Sequence, residues 1–117
     1  MMIQDMDVYK IAYQLVLDIY KITKLFPSDE KFGLIIQMKR AAISTVSNLS
    51  EGSARISNPD KKHFMAMARG SVAELQTQIS IAKDLGFMPE SDFIKLNDSA
   101  DRVRMMLNKL LAPTANG

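Results

Sequence analysis

The chain has 117 residues, 47% of them hydrophobic and 24% charged, with a formal net charge of +2. That length suits one domain with its own core, and so small a charge leaves the surface as a whole without the field of a general nucleic-acid binder. There is no Cys and only one His, His63, which excludes a disulfide framework, a thiolate metal site and a multi-His zinc site; no metal or cofactor is expected.

The start, Met-Met-Ile-Gln-Asp-Met-Asp, carries acids where a secretion signal has its basic region. No apolar run approaches the roughly 18 residues of a membrane span. A cytoplasmic protein without membrane contact is the expectation. The spacing of Val8, Ile11, Ala12, Leu15, Ile19 and Ile22 predicts a first helix from about Met6 to Leu25. Tyr9, Tyr13 and Tyr20 flank that face, with rings expected inward and hydroxyls in water. Pro27 ends the helix, because the residue before a proline resists the helical conformation. Ser28 or Asp29 is expected to cap the second helix, with Asp29 and Glu30 at its positive end.

The second helix is predicted to run to about Ser57. Leu34, Met38, Ala41, Ala42, Thr45 and Leu49 make its apolar face. Beside them Gln37, Arg40, Ser44, Asn48, Glu51 and Arg55 recur at steps of three or four, so they share one side of the helix. Ser, Asn and Gln favour caps and turns over helix interiors, so their order here points to a specific use. Two uses stand open. In one, a hydrogen-bonded network fixes this helix on the third, with Glu74 and Gln78 answering Arg40 and Asn48. In the other, the stripe faces another subunit or a ligand. Gly52 is expected to loosen or bend the end of the helix.

Asn58 followed by Pro59 reads as an N-cap and a first helical position. Phe64, Ala68, Ser71, Leu75, Gln78, Ala82 and Leu85 then form a heptad-like seam along the third helix. Gly70 and Ser71, midway, are expected to let a neighbouring helix approach closely. Gly86 is expected to end the helix in the left-handed conformation. Pro89 to Asp92 opens the fourth helix, whose apolar line is Phe93, Leu96, Ala100, Val103, Met106 or Leu107, and Leu110. The chain therefore reads as all-α, an antiparallel up-down-up-down four-helix bundle over residues 1–112, with 113–117 a disordered tail.

Catalytic patterns are missing. No glycine-rich phosphate loop follows a strand, no Cys nucleophile exists, and no Glu-x-x-His pair of the di-iron bundles occurs. His63, beside a helix start, reads as solvated, so no enzyme is expected. What remains is a basic corner. Between Gly52 and Val72, Arg55, Lys61, Lys62 and Arg69 face the single acid Asp60, a local net charge of +3. These four are the candidate contacts to RNA or DNA, and an oligomer would multiply them.

The run from Gln37 to Arg55, Gln-Met-Lys-Arg-Ala-Ala-Ile-Ser-Thr-Val-Ser-Asn-Leu-Ser-Glu-Gly-Ser-Ala-Arg, resembles the signature of the four-helix-bundle proteins encoded in 23S ribosomal RNA intervening sequences. Phe26 to Glu30, Ala68 to Gln78 and Leu85 to Phe87 fit the same pattern in order, so the resemblance spans nearly the whole chain. Lys39 and Ser50 stand where that family often has Arg and Ala. The resemblance implies a homopentameric ring and kinship with the accessory variability determinant of diversity-generating retroelements, a basic barrel that binds nucleic acid and a reverse transcriptase. It carries over Gln37, Arg40, Ser44, Asn48, Glu51, Gly52, Gly70, Ser71 and Glu74 as motif residues, with no catalytic role. The functions expected are an oligomeric scaffold that binds structured RNA or DNA, or an adaptor that docks a protein such as a polymerase.

Overall fold

Four helices form where apolar residues recur every three or four positions. In the computed structural model, which describes residues 6–113, they are α1 (Asp7–Thr23), α2 (Leu34–Ala54), α3 (Asn58–Asp84) and α4 (Glu90–Leu111), with a 3-10 turn at Ser28–Glu30. The described residues hold no strand, and no helix among them is long and apolar enough to cross a membrane. Of the tail expected at 113–117, all but Pro113 lies outside the described residues.

The helix ends follow local chemistry, with two departures from expectation. Ser28 and Asp29 do not cap α2; they belong to the 3-10 turn, and α2 opens six residues after Ser28. The Leu34 N–H instead donates to Glu30 Oε2 at 3.1 Å, so the carboxylate reaches forward to a free helix-end donor. At α3 the N-cap is Ser57, whose Oγ accepts from the Asp60 N–H at 3.3 Å; Asn58 is already helical. Asn58 lacks the extended backbone of a cap, and Ser57 has it. Gly86 behaves as expected. Its φ is +79°, and Gly86 and Phe87 donate to the carbonyls of Lys83 and Ala82, both at 2.9 Å. This closes the α3 end and turns the Phe87 ring onto Phe26, 5.5 Å between centroids.

Each helix packs on two others: α1 on α2 and α4, and α3 on α2 and α4. The result is a rod of 49 × 22 × 21 Å. Leu15, Ile19, Met38, Leu49, Leu75, Ile79, Val72, Val103 and Leu107 are fully enclosed along its axis. The α3 seam is wider than its heptad pattern predicts. Val72 and Ile79 are completely buried, while Phe64 and Ser71 are half-buried and Leu85 is exposed. A helix gripped by two neighbours buries a broad stripe, and the heptad line marks only the flank nearer α2. On α4 the core position is Leu107; Met106 is only partly covered. Thr23 and Thr45, buried among these side chains, satisfy their hydroxyls by donating to the carbonyls of Ile19 and Ala41.

Of the three tyrosines only Tyr9 packs its side chain against the core. Tyr13 and Tyr20 are exposed and Tyr9 is half-buried. Together with exposed Leu17 and Ile43 they leave an apolar face on α1 and α2 open to solvent, rimmed by Lys39, whose ammonium lies 4.6 Å from the Tyr20 ring.

Candidate nucleic-acid interface

The basic corner is built on a close crossing. Gly52 is buried, and a Cβ there would meet Met65 Cε at 2.9 Å, Phe64 Cβ at 3.1 Å and the Lys61 carbonyl oxygen at 3.3 Å. Gly52 is therefore a close-packing residue, and α2 ends at Ala54, three residues before the predicted Ser57. The absent side chain lets the end of α2 lie directly on the first turns of α3. The chain then turns within Arg55, Ile56 and Ser57, with Arg55 and Ser57 both extended.

The four predicted cations split across this corner. The Arg55 guanidinium bonds Glu51 at 3.2 Å and lies 4.6 Å from the Phe64 ring centroid, so it is committed within the chain. Lys61 is half-buried where α3 meets α2. Lys62 and Arg69 are exposed and seven residues apart, two turns along one side of α3. Arg69 Nη1 donates to Asn108 Oδ1 on α4 at 3.1 Å. The basic surface thus runs from the corner towards α4.

Two contacts bring the same ends together. The start of α1 and the end of α4 line one hollow through Met6, Val8, Met106 and Lys109, and Arg69 reaches Asn108. The half of the rod containing residues 6–14, 45–70 and 101–113 carries Lys10, Arg55, Lys61, Lys62, Arg69, Arg102, Arg104 and Lys109 against Asp7, Glu51, Asp60 and Asp101, a net +4. The other described half, 15–44 and 71–100, has seven cations and eight acids, a net −1. Arg102, Arg104, Lys109 and Lys10 are members that sequence reasoning missed. The expected topology was signal enough, since it places the end of the fourth helix beside the corner between the second and third.

Arg104 is partly held inside the protein. It bonds Asp101 at 2.9 Å, and Asp101 also accepts from Gln76 Nε2 at 2.9 Å. The hydrogen bond from Arg104, then the one from Gln76, holds the Asp101 carboxyl below the usual aspartate range. Arg102, Lys109, Lys10, Lys62 and Lys61 have no acid within ion-pair distance among the described residues.

The polar stripe of α2 lies along the outer rim of its groove with α3. Gln37, Arg40, Glu51 and Arg55 are exposed; Ser44 and Asn48 are half-buried. The link between the helices is Ser44 Oγ to Ser71 Oγ, at 2.9 Å. Asn48 Nδ2 turns back to the Ser44 carbonyl at 2.9 Å, and Gln78 Nε2 donates to Glu74 Oε1 at 3.2 Å. The pairing of Arg40 and Asn48 with Glu74 and Gln78 does not form. Arg40 and Glu74 both stay in water, where neither pays the desolvation that a buried pair requires. Gly70 also departs from expectation: it is exposed, and nothing lies within 4 Å of where its Cβ would be. No helix among the described residues uses the gap.

These features define a four-helix protein with a basic end, an open apolar face on α1 and α2, and an ordered polar rim between α2 and α3. The family follows from comparison. Residues 4–109 match the family described as 23S rRNA-intervening sequence protein, and the chain belongs to it. Among solved structures, a protein of unknown function from the S23 ribosomal protein family of Bacteroides thetaiotaomicron superposes with a TM-score of 0.84 at 15% identity. The match covers 91% of this chain and 99% of that one, and at so low an identity it speaks for the fold alone. None of the curated proteins matches the sequence.

Proposed function

We propose that the protein is a non-enzymatic, self-assembling scaffold that holds structured RNA or DNA at the basic end of its bundle. The helices run up-down-up-down, antiparallel, in this reading. The observation that carries it is the division of charge: +4 in one half and −1 in the other, with most cations of the basic half unpaired among the described residues. Lys61, Lys62, Arg69, Arg102 and Lys109 are then the phosphate contacts, and Arg55 is a brace for the corner.

Assembly is supported by two unlike open faces. The α1–α2 face presents Tyr13, Leu17, Tyr20 and Ile43, and the outer face of α3 presents Ala66, Gly70 and Ala73. Unlike faces meet head to tail, and such contacts close into rings when the rotation permits. Five copies is the number that kinship with the accessory variability determinant suggests. A ring would set several basic ends side by side.

The test is binding of a structured RNA and of a DNA duplex across a salt series, with oligomer mass read by light scattering. Each phosphate neutralised contributes a slope of about −0.9 in log affinity against log salt, so replacing Arg102 and Lys109 by Gln should flatten the slope by about two. A flat salt response, or no binding at low salt, removes the reading. A monomer at micromolar concentration removes the ring.

A second reading has its own observation. On α4, Met105 and Met106 sit between Arg102 and Lys109 in a shallow hollow. A flexible methionine floor with a cationic rim suits an acidic amphipathic helix of a protein partner. This adaptor reading predicts one protein recovered with the chain after nuclease treatment, and its loss in Met105→Ala.

A further inference from the structure

At the tip of the basic end stands Ile56, 99% exposed and the barest of the large hydrophobic side chains in the described chain. Its nearest rivals, Phe32 at 84% and Leu25 at 73%, lie at the opposite end, beside Asp29 and Glu30. Single exposed apolar residues are ordinary on a protein surface. What distinguishes Ile56 is how it is held. Arg55 before it is fixed by Glu51 and the face of Phe64. Ser57 after it is fixed as the cap of α3. Between two anchored, extended residues the side chain has no route back to the core, and Gly52 keeps the turn tight beneath it.

We propose that Ile56 is an apolar wedge that enters the base stack of a double-stranded nucleic acid at a bulge or other weakly stacked step, while Lys61, Lys62 and Arg69 hold the flanking phosphates. The proposal rests on the nucleic-acid reading above and deepens it by naming the feature recognised. Apolar side chains inserted between base steps are a recurrent device of proteins that bind by backbone contact and deformation. The surrounding charge selects a polyanion, and two are at issue. A lipid surface is the weaker fit: even a whole myristoyl chain gives only marginal, reversible anchoring, and one isoleucine buries far less. In a base stack the same side chain is enclosed on both faces, which is worth about tenfold to a hundredfold in affinity. Opening an intact stack consumes a gain of that size. At a bulge the stack is already broken, so the gain remains. The wedge therefore discriminates bulged from fully paired duplexes.

The experiment uses the full chain with two labelled RNA hairpins, identical except for one unpaired base, each carrying 2-aminopurine beside that position. Wild-type protein should bind the bulged hairpin about tenfold more tightly and raise the 2-aminopurine fluorescence. Ile56→Ser should bind both hairpins with the affinity of the paired one, give no fluorescence rise, and keep the salt slope and the oligomer mass. Retained bulge preference in Ile56→Ser overturns the wedge. So does a changed oligomer mass, which would place Ile56 in a subunit contact, or binding to anionic vesicles that depends on Ile56. Salt-dependent binding without bulge preference defeats the wedge alone, whereas no binding of either hairpin at low salt defeats the nucleic-acid reading itself.

Discussion

Two glycines of this bundle, both inside helices, should respond with opposite signs to the same substitution. Gly70 is exposed in mid-α3 with nothing within 4 Å of an added Cβ. Gly70→Ala should then yield the helix-propensity difference almost whole, about 1 kcal/mol of stabilisation. For a chain of this size that corresponds to about 4 °C in Tm. Gly52→Ala gains the same propensity and meets α3. The 2.9 Å contact is with Met65 Cε, the free end of a flexible side chain, which can swing aside. Phe64 Cβ at 3.1 Å and the Lys61 carbonyl at 3.3 Å belong to the α3 backbone or its first carbon, and they move only if the helices part. Overpacking of that kind costs about 1–3 kcal/mol, so the net is about 1 kcal/mol of destabilisation, and the two variants differ by about 2 kcal/mol. Urea unfolding measures this, with an unchanged m-value as the check that only stability has moved. The series must be run at several protein concentrations, because assembly contributes to apparent stability. An equal upward shift in both variants would refute the account of Gly52 as a close-packing residue.

Gly70→Leu should raise urea stability at low concentration nearly as much as Gly70→Ala does, while light scattering finds assembly reduced, if the open face of α3 is where another copy docks. Leu107→Ala should cost about 2–5 kcal/mol in urea unfolding, because its side chain is wholly enclosed; Met106→Ala should cost clearly less. Asp101 gives an acid signature. Its folded pKa is depressed, so its stabilising contribution is complete at neutral pH and is lost only as pH falls below about 4 and through the folded value. Urea midpoints of wild type and Asp101→Asn should therefore differ at pH 7 and converge in strong acid, by a small amount because the carboxylate is exposed and screened. A gap that persists at low pH would mean that the charge is not what matters.

Most of the bundle was legible in the apolar spacing and the punctuation. Pro27, Asn58-Pro59, Gly86 and Pro89 mark ends that follow from backbone rules alone, and the cores of α1, α2 and α4 fall on the lines their sequences draw, although Leu110, placed on the α4 line, is exposed. What escaped depends on neighbours. Val72 and Ile79 are core because α3 serves α2 and α4 together, which no single-helix period reveals. Gly52 and Gly70 look alike in sequence; one lies under α3 and the other faces solvent, and only the packing separates them. In the polar stripe, spacing identified the shared side but not its partners. Ser44 meets Ser71, and the longer Arg40 and Glu74 remain in water because an exposed groove rim imposes no need to pair. The basic corner was visible as a cluster; its extension through Arg69 to Asn108 and α4 was missed because those charges are distant in sequence, and only the expected order of the helices could have joined them.

The formal charge of +2 is the wrong measure of what a polyanion meets at the basic end. At physiological ionic strength the Debye length is about 8 Å, against a long axis of 49 Å. Asp29 and Glu30, in the turn at the far end, are several screening lengths away, so a phosphate near Lys62 and Arg69 senses the local +4 and little of the opposing −1. This makes a prediction that composition alone would get wrong. Neutralising Asp29 and Glu30 as Asn and Gln raises the formal charge from +2 to +4, yet binding of an RNA hairpin at 150 mM salt should stay unchanged. At 10 mM salt, where the screening length grows to about 30 Å, the same variant should bind more tightly. Glu30 also caps α2 through the Leu34 N–H, so a urea midpoint must accompany the titration to separate lost stability from altered field. Equal strengthening at both salt concentrations would mean that phosphates approach the far end as well, and that the basic half is not the preferred surface.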